Sequence, residues 1–159
     1  MKKDYRVYVS SGGMFGMLPG IKKKYESLLR QLYGQYLEIT DQFFFDLLRA
    51  PSERLIFVIS DEKLVATAQV TLSMTLPIQR VYVNNVVVEE SLRGQGWGKI
   101  LDGEITRTVI ENWKKAGKIV RMELTNSPKK ENAGFYLSCG WQNRGADSED
   151  PTVVWVKDV

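Results

Sequence analysis

Hydrophobic positions along this chain switch repeatedly between a spacing of two and a spacing of three to four, and the switches divide it into elements. Residues 5–9 form a short β-branched and aromatic run that stops at Ser10-Ser11-Gly12-Gly13, which predicts a first strand. In residues 21–37, Tyr25, Leu28, Leu29, Leu32, Tyr33 and Tyr36 share one helical stripe, with Gly34 placed to break or bend it. Thr40 or Asp41 can cap a second helix carrying Phe43, Phe44, Leu47 and Leu48, which Pro51 closes. Two β-rich runs, 54–59 and 64–72, are joined by the polar residues 60–63 at hairpin length, so they should pair antiparallel. Residues 79–88 are again strand-like, and their end, Val86-Val87-Val88, is continuously apolar as in a strand buried on both faces.

A long helix is expected over 96–116, with Trp97, Ile100, Leu101, Ile105, Thr108, Val109 and Trp113 inward and Gly117 as its stop. Lys99, Asp102, Glu111 and Lys115 then lie on its solvated face. Residues 119–124 make another strand, Ser127-Pro128 a helix start, and Gly140 a helix end. Residues 141–144 and 152–156 close the chain as two strands. The order is strand, two helices, three strands, helix, strand, helix, two strands, which is an α/β chain with a mixed sheet and helices on its faces.

At 159 residues the chain is long enough for one domain, 1–159, and too short for two. Apolar residues at 43% and charged residues at 26% match an ordinary folded protein. A net charge of +3, scattered along the chain, argues against nucleic acid as a partner. The chain has no histidine and one cysteine, Cys139, which removes an intramolecular disulfide, any multi-cysteine zinc site, the commonest metal ligand and every mechanism built on a histidine base, so no metal is expected. No apolar run reaches membrane-spanning length, and Met1-Lys2-Lys3-Asp4 leads into the first strand without a signal-type core. The expectation is a cytoplasmic protein with no membrane partner.

The segment Val86-Val87-Val88-Glu89-Glu90-Ser91-Leu92-Arg93-Gly94-Gln95-Gly96-Trp97-Gly98-Lys99 carries the chemistry. A strand runs through a short polar turn and a glycine-rich loop into a helix. Glycines let a ligand approach the backbone, and the first N–H groups of the helix lack intrahelical partners, so they can bind phosphate oxygens. The spacing excludes a P-loop and a dinucleotide fingerprint. Arg93-Gly94-Gln95-Gly96-Trp97-Gly98 resembles the Arg/Gln-x-x-Gly-x-Gly/Ala loop of the GNAT acetyltransferases. Downstream, Asn126 to Trp141, with Asn132, Phe135, Tyr136 and Gly140, is similar to that family's second signature, Trp141 standing in for its final aromatic. Local similarity extends to the amino-sugar phosphate acetyltransferases, which typically have an acidic residue at the position of Asn85.

The resemblance implies a mixed, mostly antiparallel central sheet of about seven strands with helices on both faces. It also implies acetyl-CoA as cosubstrate, held at Arg93, Gly94, Gln95, Gly96, Trp97, Gly98, Lys99, Asn132 and Tyr136 and along the backbone of Val86, Val87 and Val88. The reaction would be direct acetyl transfer to a primary amine, with Tyr136 protonating the departing thiolate. Tyr136 packing beside the pantetheine is the plainer alternative. Glu123 is a candidate base or an ordinary strand carboxylate, and Cys139 reads as a structural thiol. Glu89 and Glu90 belong to the turn.

Acceptor specificity is expected from residues 11–45 and 145–150, with Phe15, Tyr33 and Asn85 as substrate-binding candidates. The tyrosines of the first helix either line that pocket or belong to the core. A small-molecule acceptor is preferred to a protein, and a homodimer is compatible with this reading. The rival from another class is an acyl-CoA-binding module without catalysis.

Overall fold

The computed structural model describes residues 3–10, 19–74, 79–126, 130–146 and 153–159. In chain order the elements are β1 (Arg6–Val9), α1 (Ile21–Tyr33), α2 (Asp41–Arg49), β2 (Glu53–Ser60), β3 (Lys63–Ser73), β4 (Gln79–Val88), α3 (Trp97–Trp113), β5 (Val120–Asn126), α4 (Lys130–Ser138), β6 (Gln142–Ala146) and β7 (Val153–Asp158). A single 3-10 turn, Glu90–Leu92, separates β4 from the glycine loop.

The strands form one seven-stranded sheet in the order β1-β2-β3-β4-β5-β7-β6. Every pairing is antiparallel except β4 with β5. Alternation along β2 and β3 sorts side chains to two cores. Ile56, Val58, Ala66, Ala68 and Val70 face α3, whereas Leu55 and Phe57 face α1 and α2. Helices therefore cover both faces of the sheet.

Three local features set the geometry of the middle of the sheet. The β2–β3 hairpin turns on Asp61 and Glu62, both at positive φ, so the expected connection 60–63 tightens to two residues. Between Asn84 and Val87 the register of β4 against β3 slips by one residue, and Asn85 takes φ 52. This bulge reverses which side chains face which core. Val81 and Val83 point to α3, but beyond the bulge Val87 turns to α1 while Val86 and Val88 pack toward α3. The third feature is that β4 and β5 pair only from Gln79↔Val120 to Tyr82↔Glu123, so the remaining lengths diverge.

Several expectations are corrected here. α1 ends at Tyr33, not residue 37, because Gly34 at φ 94 redirects the chain after its N–H bonds Arg30 C=O. The tyrosine stripe thereby divides, with Tyr25 buried and Tyr33 and Tyr36 exposed. Val86-Val87-Val88 is not buried on both faces, since only Val87 is fully buried beside the diverging strand. Asp102 is not on a solvated face. It is 8% exposed and accepts from Trp141 Nε1 (2.6 Å) and Lys157 Nζ (2.9 Å), fastening α3 to the β6–β7 end of the sheet. α3 stops at Trp113, short of 116. β5 runs two residues beyond 124 and leaves Ile119 exposed. The expected start of α4 at Ser127-Pro128 lies outside the described residues, as do the substrate loop around Phe15 and residues 147–150 of the connector.

Thr40 caps α2 as expected, its Oγ1 accepting from Phe43 N–H at 3.2 Å. At the end of α4, Gly140 adopts φ 84 while Gly140 N–H bonds Leu137 C=O and Trp141 N–H bonds Tyr136 C=O. That cap swings Trp141 back against Tyr136, which also packs on Trp155.

Candidate active site

β4 and β5 diverge beyond Tyr82↔Glu123 and open the sheet between them, and residues from both halves of the chain meet at this split. On its α3 side, Gly94 and Gly96 hold φ 75 and 87, a conformation that L side chains rarely adopt. A Cβ on either would meet no atom within 4 Å, so these glycines border open space. The first helical amide bond of α3 is Ile100 N–H to Gly96 C=O, which leaves the N–H groups of Trp97, Gly98 and Lys99 without intrahelical acceptors. An open glycine turn followed by free N–H groups at a helix start fits a phosphate-bearing ligand by backbone geometry and dipole.

Side chains around this loop do different work. Arg93 spans it, with Nε to Val88 C=O (3.2 Å) and Nη2 to Gln31 Oε1 (3.0 Å), tying the loop to α1. Gln95 folds back onto Ser91 C=O. Trp97 turns its ring into the core, edge-on to Tyr5 with Lys3 Nζ 3.8 Å above it, so only its backbone borders the loop. Gly98 differs from the other loop glycines. A Cβ there would stand 2.9 Å from Phe135 Cε2, so its smallness lets α4 pack against α3. Lys99 is exposed on the first turn.

On α4, Asn132 is exposed and Tyr136 is buried. The Tyr136 ring packs against Phe135, Trp141 and Trp155, at centroid distances of 5.1, 6.1 and 5.3 Å. Its hydroxyl lies beside Asn126, the last residue of β5, and so on the β5 wall of the split. Asn126 accepts from Trp155 Nε1 at 3.2 Å, while its buried Nδ2 makes no full hydrogen bond among the described residues. Burial pushes the Tyr136 phenol above its ordinary pKa, the Asp102 carboxylate adds to the rise, and Asn126 works against it. Cys139 is half-buried, and burial raises its thiol too, with Asp102 adding to the rise.

The opposite face of the sheet holds a cleft of about 490 Å³ between α1, α2 and the β4 bulge. Tyr33 Oη donates to Asn85 Oδ1, Asn85 Nδ2 to Gln69 Oε1 (2.8 Å), and Gln69 Nε2 to Glu53 Oε2 (2.9 Å), which also accepts from Thr71 (2.8 Å). Tyr25 forms the floor, its phenol pushed up to about 12 by burial, with an Asn85 hydrogen bond offsetting part of the rise. Glu123 stands at the foot of the split, where β4–β5 pairing ends, and its carboxylate lies 3.3 Å from the Arg80 guanidinium.

Of the residues singled out in the sequence, Val86–Val88, the 93–98 loop and Tyr136 gather at the split, and Tyr33 and Asn85 bond each other across the second cleft. Tyr25, expected either on the pocket or in the core, is buried and lines the cleft, whereas Glu53 and Gln69 were missed. Gln69 and Thr71 gave a signal, being polar at alternate positions of an otherwise apolar strand. Among the described residues no cluster of acidic or cysteine side chains suits a metal ion, and no helix is long and apolar enough to cross a membrane.

A sheet split between two parallel strands, with an open glycine turn and free helix N–H groups at its mouth, suits a ligand that carries phosphate at one end and lies along unpaired strand backbone. The model of the Acetyltransferase (GNAT) family matches residues 21–141, and the chain belongs to that family. It is an acyltransferase, and the family uses acetyl-CoA as cosubstrate. Solved structures share the fold at low identity. An acyl-CoA N-acyltransferase from Pseudomonas aeruginosa superposes with TM-score 0.68 at 13% identity, covering 97% of this chain and 99% of that one. Glucosamine-6-phosphate N-acetyltransferase from Arabidopsis thaliana gives 0.68 at 18%, covering 91% and 96%. An aminoglycoside acetyltransferase from an uncultured soil metagenomic sample gives 0.71 at 14%, covering 90% and 93%. No curated protein is detectably similar in sequence.

Proposed function

We propose that the chain transfers the acetyl group of acetyl-CoA directly to a primary amine, the donor entering from the α3–α4 side of the split and the amine from the α1–α2 side. The observation that carries this reading is the β4 bulge. Asn85 faces the polar cleft while Val86 and Val88, next along the same strand, face the opposite side beside the glycine loop. Two separate approaches thus converge within a few residues of unpaired backbone.

In this reading the N–H groups of Trp97, Gly98 and Lys99, with the Gly94–Gly96 backbone, hold the pyrophosphate. Backbone groups of Val86 to Val88, which have no β5 partner, bond the pantetheine and meet the oxyanion that develops at the carbonyl. Arg93 acts by bracing the loop, and Asn132 borders the donor on the exposed side of α4. The amine lone pair forms the C–N bond and the C–S bond breaks, its electron pair passing to sulfur. Tyr136 gives its proton to that sulfur. Glu123 takes the proton lost from nitrogen, directly or through water, and releases it to solvent, from which the phenolate is reprotonated. A thioester and an amine thereby become a thiol and an amide with every proton accounted for.

Direct attack is favoured over an acetyl-cysteine intermediate because Cys139 has a raised thiol and no histidine exists to activate it. The test is incubation with acetyl-CoA and a panel of amines, following thiol release and product mass. Thiol and acetylated amine should appear in equal amounts with unmodified protein throughout. Thiol release that needs no amine, or acetyl found on Cys139, would contradict it.

A further inference from the structure

The cleft between α1, α2 and the β4 bulge has a lining that selects among amines. Leu29, Leu37, Ile39 and Leu47 form its walls, and the rings of Tyr33 and Phe43, 62% and 59% exposed, stand at its mouth. Exposed aromatic rings beside an apolar pocket are an unfavourable use of surface unless something covers them. Its volume of about 490 Å³ falls within the usual range for a small-molecule site.

The polar floor is arranged in one direction. A carboxylate can only accept, so Glu53 requires Gln69 to present its NH₂, and Gln69 is left offering Oε1 to Asn85. Asn85 then uses its NH₂ on Gln69 and takes the Tyr33 hydroxyl proton on Oδ1. Each amide group thus commits one of its two N–H donors along the chain, Asn85 also bonds Tyr25, and Asn85 Oδ1 and Gln69 Oε1 are turned to accept. Such a floor can receive the N–H groups of an amine, and its described lining carries no positive charge to pair with an anion. The electrostatics agree: Glu38 is on the lining, Glu53 stands behind Gln69, and no Lys or Arg is among the described lining residues. Arg30, on the same helix, is committed to Leu37 C=O (3.0 Å) and Glu26 (2.6 Å).

Building on the acetyltransferase reading, we infer that the acceptor is a small primary amine with an apolar or aromatic body and no phosphate or carboxylate. Its nitrogen lies toward Asn85 and Gln69, and its body lies between Tyr33, Phe43 and Leu47. An anionic group on the acceptor would lose its hydration against apolar walls, with acidic side chains nearby and no cation to pair with. Amino-sugar phosphates, the substrates of the acetyltransferases that the chain locally resembles, are therefore disfavoured.

The experiment compares phenylethylamine and hexylamine with glucosamine and glucosamine 6-phosphate. Thiol release gives kcat/KM, and calorimetry gives the affinity of each amine for the coenzyme A complex and for the free protein. Phenylethylamine should exceed glucosamine 6-phosphate by roughly 10²-fold or more in kcat/KM, as expected where a rejected substrate leaves charge unpaired. Phe43→Ala, at a ring too exposed to be needed for folding, should raise its KM about tenfold while acetyl-CoA affinity stays unchanged. Equal or better use of glucosamine 6-phosphate would overturn the inference, as would absence of phenylethylamine binding to the coenzyme A complex. Failure of acetyl-CoA itself to bind would refute the transferase reading separately, because phenylethylamine binding to the free protein still reports on the cleft.

Discussion

Tyr136→Phe separates chemistry from packing more cleanly than any other single change. The ring keeps its contacts with Phe135, Trp141 and Trp155, and only the hydroxyl beside Asn126 is removed. A lost hydrogen bond of this kind costs about 1 kcal/mol, or about 2–4 °C in Tm for a chain of this size. Acetyl-CoA affinity should stay at the wild-type level. If the phenol protonates the departing thiolate, kcat should fall by roughly 10² to 10⁴-fold, equivalent to about 3–5 kcal/mol of barrier. The raised phenol stays protonated past its ordinary pKa of 10.0, so wild-type kcat should show no basic limb from this group below pH 10. The assay is thiol release at saturating donor and amine, beside calorimetric acetyl-CoA affinity of the same preparation. Near-wild-type kcat in Tyr136→Phe would refute the acid role and leave Tyr136 as packing.

Three further outcomes are expected. Asp102→Ala strands Lys157 and the Trp141 indole N–H in a largely buried setting and should cost about 3 kcal/mol in urea unfolding, whereas Asp102→Asn, which keeps an acceptor for the indole, should cost less. Tyr25, raised from 10.0 to about 12, holds its proton more tightly folded than unfolded; its stabilisation is complete below pH 10 and is lost as pH rises to about 12, on the order of 2–3 kcal/mol in all. Tyr25→Phe should flatten that part of the stability profile between pH 10 and 12. Gly98→Val would drive a branched side chain into Phe135 and loosen α4 from α3, so it should lower Tm and acetyl-CoA affinity together, and loss of only one would argue against the shared contact.

What the sequence disclosed divides by range. The glycine loop was legible because its demands are local: positive φ at Gly94 and Gly96, and a helix start whose N–H groups precede Ile100. Strand β4 was legible to both ends because its β-branched run is long and bounded. Asp102 was not, since helical spacing cannot reveal that Trp141 and Lys157 arrive from distant elements to pair with it. Tyr25, Tyr33 and Tyr36 looked equivalent by period on one expected helix, but α1 ends before Gly34, with Tyr25 buried in it and Tyr36 exposed beyond it. Asn84-Asn85 inside a valine-rich strand held a signal for the bulge, because Asn tolerates left-handed backbone better than most residues. The acceptor cleft was largely illegible, being assembled from α1, α2, β3 and β4 by tertiary packing.

The central claim, that the open turn at 93–98 with the N-terminus of α3 holds the acetyl-CoA pyrophosphate, is tested most directly by titrating acetyl-CoA calorimetrically into the wild type and Gly96→Asp. The substitution points a side chain and a negative charge into the open space beside Gly96. Its positive φ also costs the fold about 1 kcal/mol, so affinity and not Tm is the quantity to compare. The wild type should bind one acetyl-CoA per chain, and Gly96→Asp should lose most of that affinity while remaining folded by circular dichroism. Equal affinity in the two proteins, or no binding by the wild type, would contradict the assignment.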